Sequence, residues 1–330
     1  MPIGTDRAYA RLSRRALALP LLAAALLATA PAGAELKGLE IIAPANPGGG
    51  WDQTARALQA ALQDSGLASG VQVANIPGAG GTIGLAQFVT SKKRSGDTIL
   101  VGGLVMVGAI LTNNAPVTLD DVTPLARLTG EYQLIVVPAD SPIQSMADLV
   151  AKLKADPGAV SWAGGSAGGT DHILAGLVAK AAGVDPTRIN YIAHSGGGEA
   201  LAAILGGHVT AGISGYQEFA PQIAAGKLRG LALSSAERLP GVDIPTLKEQ
   251  GIDVTLVNWR GLFAAPQIRD ADKAALSEAI ARMVESPAWQ DTLKTRDWLN
   301  LYLPADEFAA FIADDRAKVE QTLKDVGLVQ

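Results

Sequence analysis

The 330-residue chain reads as an α/β protein of two lobes, each a mixed sheet flanked by helices, joined by two hinge crossings into a clamshell. Three observations lead there. A short β-branched run, a glycine-rich loop and an Ala/Leu-rich amphipathic segment recur four times, the pattern of βα units with largely parallel strands. Two of these loops lie in the first third of the chain and two lie mid-chain, so two separate sheets could face each other across a cleft. Length and 48% apolar composition are sufficient for about two domains with real cores.

The recurring unit can be followed along the sequence. Leu39–Ala45 leads through Pro47-Gly48-Gly49-Gly50 into a helix expected from about Asp52 to Asp64. Val71–Asn75 leads through Pro77–Gly81 into Thr82–Ser91. Val160–Ala163 leads through Gly164–Gly169 into Thr170–Ala182, and Ile189–His194 through Ser195–Gly198 into Glu199–Leu205. Gln133–Val137 and Val254–Val257 read as strands joining the halves. The expected first lobe is therefore residues 35–130 plus 254–330, and the second is 131–253. Phe308, Phe311, Ile312, Val319 and Leu323 recur at helical spacing and read as a core-facing stripe.

Residues 1–34 carry the marks of a cleavable secretory signal. Arg7, Arg11, Arg14 and Arg15 precede the apolar run Ala16–Ala30, and Ala32-Gly33-Ala34 is an A-x-A cleavage site, so the mature chain is expected to start at Glu35. The run is interrupted by Pro20 and is shorter than the ~20 residues a membrane span needs. Ser13-Arg14-Arg15 faintly resembles a twin-arginine signal; the general secretion route is the expected one. The absence of cysteine excludes a lipoprotein anchor and disulfides.

Removing four Arg and one Asp from 27 basic and 32 acidic residues leaves 23 and 31, a net charge of −8. Such a chain has no general basic field for nucleic acid. An anionic ligand would have to be held by local devices.

The glycine loops are such devices. A loop entering a helix presents backbone N–H groups without intrahelical partners, and the helix dipole adds about half a positive charge. Four to six charge-assisted hydrogen bonds, at ~1.5–3 kcal/mol each and less association costs, are compatible with micromolar affinity. Each loop taken singly also reads as a tight βα turn. Asp52, Asp171 and Glu199 stand near helix starts as possible caps, although an acid beside an anion site is awkward.

His172 and His194 adjoin glycine loops and could contact a carboxylate or serve as structural hydrogen-bonding groups. His208 follows Gly206-Gly207 and is expected in an exposed turn. No histidine spacing suits a metal, and no cofactor is expected. Gly164-Gly165-Ser166-Ala167-Gly168 formally matches the G-x-S-x-G elbow of a serine hydrolase. His194 or His208 could then be offered as base and Glu199 or Asp185 as orienting acid, although so glycine-rich a segment matches by chance. Asp120-Asp121 and Asp314-Asp315 read as surface charge or caps. Gly78, Gly80 and Gly84 miss dinucleotide-binding spacing by one residue.

Pro44–Arg56 and Asn75–Gly81 are similar to the first and second ligand loops of the tripartite tricarboxylate transporter receptors. Gly165–His172, Gly215-Tyr216-Gln217-Glu218-Phe219 and Asn258-Trp259-Arg260-Gly261 add to the resemblance, in the family's order from about residue 38 to the C-terminus. The resemblance implies a type II-like periplasmic-binding-protein clamshell without catalysis, probing a small carboxylate through first-lobe backbone amides, partly by way of water. It further implies a monomer in the periplasm that hands its ligand to large and small integral-membrane transporter subunits. Carried over, the ligand-binding set is Gly48, Gly49, Gly50, Trp51 and Asp52; Gly78, Ala79, Gly80, Gly81 and Thr82; and Tyr132. From the second lobe it adds Ser166, Ala167, Gly168, Gly169, Thr170, His172, Ser195, Gly196, Gly197, Gly198 and Tyr216, with Arg260 near the crossing. Arg260 reads equally as a surface or hinge salt bridge. The Gly48–Asp52 version of the first loop resembles the citrate-type branch, so a tricarboxylate such as citrate is the expected ligand. Dicarboxylates, aromatic carboxylates and acidic amino acids stay open.

Overall fold

The computed structural model describes residues 35–330; the expected leader lies outside the described residues. The chain begins with β1 (Leu36–Lys37), β2 (Glu40–Ala43), α1 (Gly50–Asp64), β3 (Ala68–Ser69), β4 (Gln72–Asn75), α2 (Thr82–Ser91), β5 (Thr98–Gly103) and α3 (Leu104–Thr112). A 16-residue strand, β6 (Thr123–Pro138), carries it onward. There follow α4 (Met146–Ala155), β7 (Ser161–Gly164), α5 (Thr170–Ala181), β8 (Asn190–Ala193), α6 (Gly197–Leu205), β9 (Ala211–Gly215), α7 (Tyr216–Ala224) and β10 (Leu228–Leu233). The return is made by β11 (Val257–Ala264), then α8 (Asp270–Val284), α9 (Pro287–Thr295), β12 (Leu299–Pro304) and α10 (Ala305–Asp325).

The main strands pair in the order β4-β2-β5-β11-β6-β9-β7-β8, with β10 and β12 also pairing β6. β2 is parallel to β4 and β5, and β7 is parallel to β8 and β9, as the βα units require. β11 runs antiparallel to β5 and β6, and β9 antiparallel to β6, so each lobe has a mixed sheet.

β6 is shared. Its first part, up to Tyr132, pairs with β11 and β12; from Gln133 it pairs with β9 and β10. The short crossing strand expected at 133–137 is thus the second part of a strand three times as long. The four consecutive apolar residues at its far end explain its burial. Ile135 and Val137 enter one core and Leu134 and Val136 another, because successive side chains point to opposite faces. The second expected crossing, Val254–Val257, is not a strand before Val257. Leu256 is held instead by Ser234: its N–H donates to the Ser234 carbonyl, and its own carbonyl accepts from Ser234 Oγ.

Three apolar clusters hold the lobes. The largest gathers residues from Leu39 to Leu128 with residues from Trp259 to Leu323, including Phe88, Phe263 and Phe308. The second lobe has a cluster on each face of its sheet, around Trp162 and Leu149 on one side and Phe219 and Ile204 on the other. The C-terminal stripe packs as its spacing predicts, with Phe308, Ile312, Val319 and Leu323 buried against the first core.

Of the adjacent acid pairs, Asp121 caps: it accepts the Thr118 N–H at 2.8 Å. Asp315 is not free surface charge. Its carboxylate accepts the Trp259 indole N–H at 2.8 Å, and burial raises its pKa against that bond.

Candidate functional site

A cavity of about 420 Å³ opens where the glycine loops meet. All four recurring loops reach it: Gly49-Gly50-Trp51, Gly78–Gly81, Gly165–Ala167 with Gly169, and Ser195–Gly197. Thr170 and Arg260 also line it, as expected.

The second loop is the tightest. Gly78, Ala79, Gly80 and Gly81 all have positive φ, at 125°, 48°, 62° and 89°. At Gly80 and Gly81 side chains are excluded as well as strained. A Cβ on Gly80 would lie 2.4 Å from the Ala109 Cβ, and one on Gly81 would lie 2.6 Å from the Trp51 ring. This glycine turn opens α2 at Thr82, whose first turn carries no acidic residue.

α3, which starts at Leu104 and lines the cavity with Val105, also lacks an acid in its first turn, whereas α1, α5, α6 and α7 each hold one. Asp52 in α1 accepts from Gly48 N–H (2.8 Å), Asn75 Nδ2 (2.9 Å) and Arg56 Nε (3.0 Å). Burial alone would raise the pKa of Asp52, but these donors outweigh it and hold the group below its ordinary value. Asp171 in α5 accepts the Gly165 N–H at 2.7 Å, and Glu199 in α6 accepts the Ser195 N–H at 3.0 Å. Glu218 in α7 accepts from Ser214 Oγ at 2.7 Å. Each acid near a helix start turns back on its own loop or strand end, as a cap does. Asp52 therefore belongs to the loop's scaffolding, not to the cavity wall.

Several other expected residues also stand off the wall. Gly48, Thr82, Gly168 and Gly198 lie beside lining residues without lining the cavity. Tyr132 is displaced by strand alternation: its neighbours Glu131 and Gln133 line the cavity, so Tyr132 points to the other face. Tyr216 packs against the Phe219 cluster, while Glu218, two residues on and about 200° around the helix, lines the cavity.

His172 stacks on Tyr191 with ring centroids 4.0 Å apart and planes at 4°. Its Nδ1 accepts the Gly168 N–H at 3.3 Å, and burial lowers its pKa to about 4, so it is a neutral structural imidazole. Burial pushes Asp171 up to about 7, aided by the charges of Glu218 and Glu131 and opposed by the Gly165 N–H. His194 lines the cavity with Nδ1 3.2 Å from the Gly164 carbonyl. Among the described residues neither His194 nor His208 is hydrogen-bonded to Ser166 Oγ, so the arrangement offered for a hydrolase is not assembled here. His208 is exposed, as expected.

Arg260 is buried, not a surface group. Its Nη2 pairs with Glu131 Oε1, its Nη1 lies 3.3 Å from Thr54 Oγ1, and its guanidinium sits 5.4 Å from the centre of the Trp298 ring. Gly50 makes room for it, since a Cβ there would fall 2.4 Å from Nη2. Sequence reasoning missed Glu131, Gln133, Asp171, Ser214, Glu218 and Asn258 on the wall. Glu218 and Asn258 lay inside motifs already singled out, one or two residues from the positions chosen.

Two α/β lobes around a cavity walled by helix-opening loops define a solute-binding receptor of the periplasmic-binding-protein type. The chain belongs to the tripartite tricarboxylate transporter family of receptors, whose family model matches residues 54–328. It is 30% identical over 298 residues to the protein BugT of Bordetella pertussis, covering 88% of this chain and 89% of that one. A TctC solute-binding protein from Polaromonas superposes with a TM-score of 0.64 at 29% identity, over 87% of this chain and 98% of its own. MatC of Rhodopseudomonas palustris, solved with bound malate, superposes with a TM-score of 0.76 at 24% identity, over 87% and 99%.

Proposed function

We propose that this protein captures a small carboxylate in the periplasm and presents it to the large and small integral-membrane subunits of a tripartite-type transporter, with no catalytic step. The observation that carries the reading is the Gly78–Gly81 turn. It opens α2 onto the cavity, has no acid in its first turn and has no room for a side chain at Gly80 or Gly81. There the helix dipole and the turn's N–H groups ahead of Gly81 are offered to a ligand anion, the Gly81 and Thr82 N–H groups donating to the Gly78 and Ala79 carbonyls, whereas α1, α5, α6 and α7 each carry an acid of their own.

The first lobe is taken as residues 35–130 with 254–330 and the second as 131–253, supported by the division of the apolar clusters. Capture is by closure about β6 and the segment before β11. Contacts of α3 with the 165–169 loop stabilise the closed form when ligand bridges the lobes. From the sequence-derived set, Gly49, Gly50, Gly78–Gly81, Ser166, Ala167, Thr170, Ser195–Gly197 and Arg260 are proposed as ligand-facing. Glu131, Gln133 and Glu218 are added to them.

The citrate expectation rests on the first loop. Against it stand the carboxylates of Glu131, Asp171 and Glu218 on the opposite wall, where a second or third ligand carboxylate would meet like charge. The malate bound by MatC supports the wider carboxylate class.

A thermal-shift screen of residues 35–330 tests the class, with citrate, isocitrate, tricarballylate, malate, succinate, glutamate, nicotinate and terephthalate. A ligand at 100-fold excess over its Kd adds about 2.7 kcal/mol of stability. A clear shift with one carboxylate is expected. Flat responses from protein shown free of co-purified small acids would overturn the proposal.

A further inference from the structure

The second-lobe wall of the cavity is built for something other than an anion. Glu131 is buried, and Asp171 and Glu218 are partly buried, all on the same wall. The single guanidinium lining this cavity is Arg260, already paired with Glu131. Arg296 lies beyond Arg260, in an adjoining cavity lined by Glu131, Glu218 and Trp298; it donates to Gln53 at 3.1 Å and is not ion-paired to either acid. Glu218 finds its neutral partner in Ser214 and Asp171 finds its own in a backbone amide, and among the described residues neither has a cation within salt-bridge distance.

Two polar groups on the wall are left over. Gln133 is 1% exposed and its side-chain amide nitrogen has no partner; Thr170 is 1% exposed and its hydroxyl has none. Buried polar groups of this kind are almost always satisfied, so each points to a partner from outside the chain. The Gln133 amide nitrogen needs an acceptor, the Asp171 and Glu218 carboxyl groups lack a cation, and the α2 turn across the cavity favours an anion.

We infer that the ligand is a zwitterion: a single carboxylate seated at the Gly78–Gly81 turn and a cationic nitrogen held at the wall formed by Glu131, Asp171 and Glu218. The inference rests on the receptor reading above and narrows it to amino-carboxylates of no net charge. The direction of titration agrees. Burial raises Glu218, and the neighbouring Glu131 charge raises it further, as for an acid short of counter-charge. A cation placed there removes that penalty, while a second ligand carboxylate increases it.

Calorimetric titration with matched pairs decides the point: 4-aminobutyrate against succinate, and 5-aminovalerate against glutarate, each in sodium and in potassium buffer, with citrate alongside. The amino member of at least one pair is expected to bind about tenfold or more tighter than its dicarboxylate, the scale of one charged hydrogen bond. Glu218→Gln, checked for native circular dichroism and melting, is expected to lose about tenfold for the amino member and to shrink or reverse the ratio of amino-member to dicarboxylate affinity. Tighter binding of a dicarboxylate or of citrate, whether or not it depends on sodium, overturns the zwitterion and leaves the receptor standing. So does a Glu218→Gln variant that binds the amino member unchanged. If none of these acids binds and the wider carboxylate screen is also flat, both readings fall together.

Discussion

Glu131 on β6, the strand shared by both sheets, and Arg260 on the neighbouring β11 form a buried ion pair, with Asn258 opposite Glu131 in the ladder. Asn258 Nδ2 lies 3.4 Å from the same carboxylate oxygen that Arg260 reaches. The pair stands at the cavity wall and at the crossing together, so it couples the stability of the fold to the site. Arg260→Gln leaves Glu131 buried without its cation and is expected to cost about 3–5 kcal/mol. The double variant with Glu131→Gln should recover much of that loss. Urea denaturation of the three proteins measures both numbers, and independent, additive effects would show that the two side chains do not act as a pair.

α3 and the 165–169 loop meet in a backbone approach that only glycine permits, and the proposed closure uses it. A Cβ on Gly108 of α3 would lie 2.0 Å from the Gly168 carbonyl oxygen, and one on Gly168 would lie 2.4 Å from Thr112. Gly108→Val should hold α3 and the 165–169 loop apart, lowering ligand affinity by about tenfold or more while both cores persist. Small-angle scattering with ligand present should then report a larger radius of gyration than wild type. Equal radii and equal affinity would remove this contact from the closing surface.

Adjacent residues give opposite pH dependences. Asp171, raised to about 7 from 3.8, binds a proton more readily folded than unfolded, so its contribution to stability falls as pH rises between about 4 and 7. His172, lowered to about 4 from 6.5, binds a proton less readily folded, so its contribution rises with pH over about 4 to 6.5. The two terms, each a few kcal/mol in scale, largely cancel in wild type. Asp171→Asn should unmask a stability that climbs from pH 4 to 6.5, and His172→Gln one that declines over the same window. Denaturation midpoints for the three proteins across that range check both signs.

Much of this was legible before any coordinates. Gly80-Gly81 followed by Thr82 marks the start of α2, and its expected limits, Thr82–Ser91, are those observed. Glycine turns announce themselves because little else adopts their φ angles. The long β6 was hidden because its first part reads Thr123-Pro124 and then mixes Gly130 with the polar Arg127, Thr129 and Glu131, of which Thr129 and Glu131 are buried with partners. Three of the misplaced site residues share one cause. Tyr132, His172 and Tyr216 each stand one or two positions from the side chain that faces the cavity: Glu131 or Gln133, Asp171, and Glu218. Local sequence identifies the segment, but the face it presents depends on which neighbour it packs against. The aromatic residue, more conspicuous in the sequence, went to the apolar side, His172 settled on Tyr191, and the acids took the wet side.

The loop at the centre of the function can be tested alone. Gly80 has φ 62° and faces Ala109 on one side and Ser166 on the other, at 2.4 and 3.5 Å from a hypothetical Cβ. Wild type and Gly80→Leu, titrated side by side by calorimetry with whichever carboxylate shifts the melting temperature most, provide the most direct measurement. Loss of binding in a Gly80→Leu protein that keeps its native circular dichroism and a cooperative melt is the predicted result. Undiminished binding in the same folded variant would place the carboxylate elsewhere and contradict the assignment of the α2 turn as its anchor.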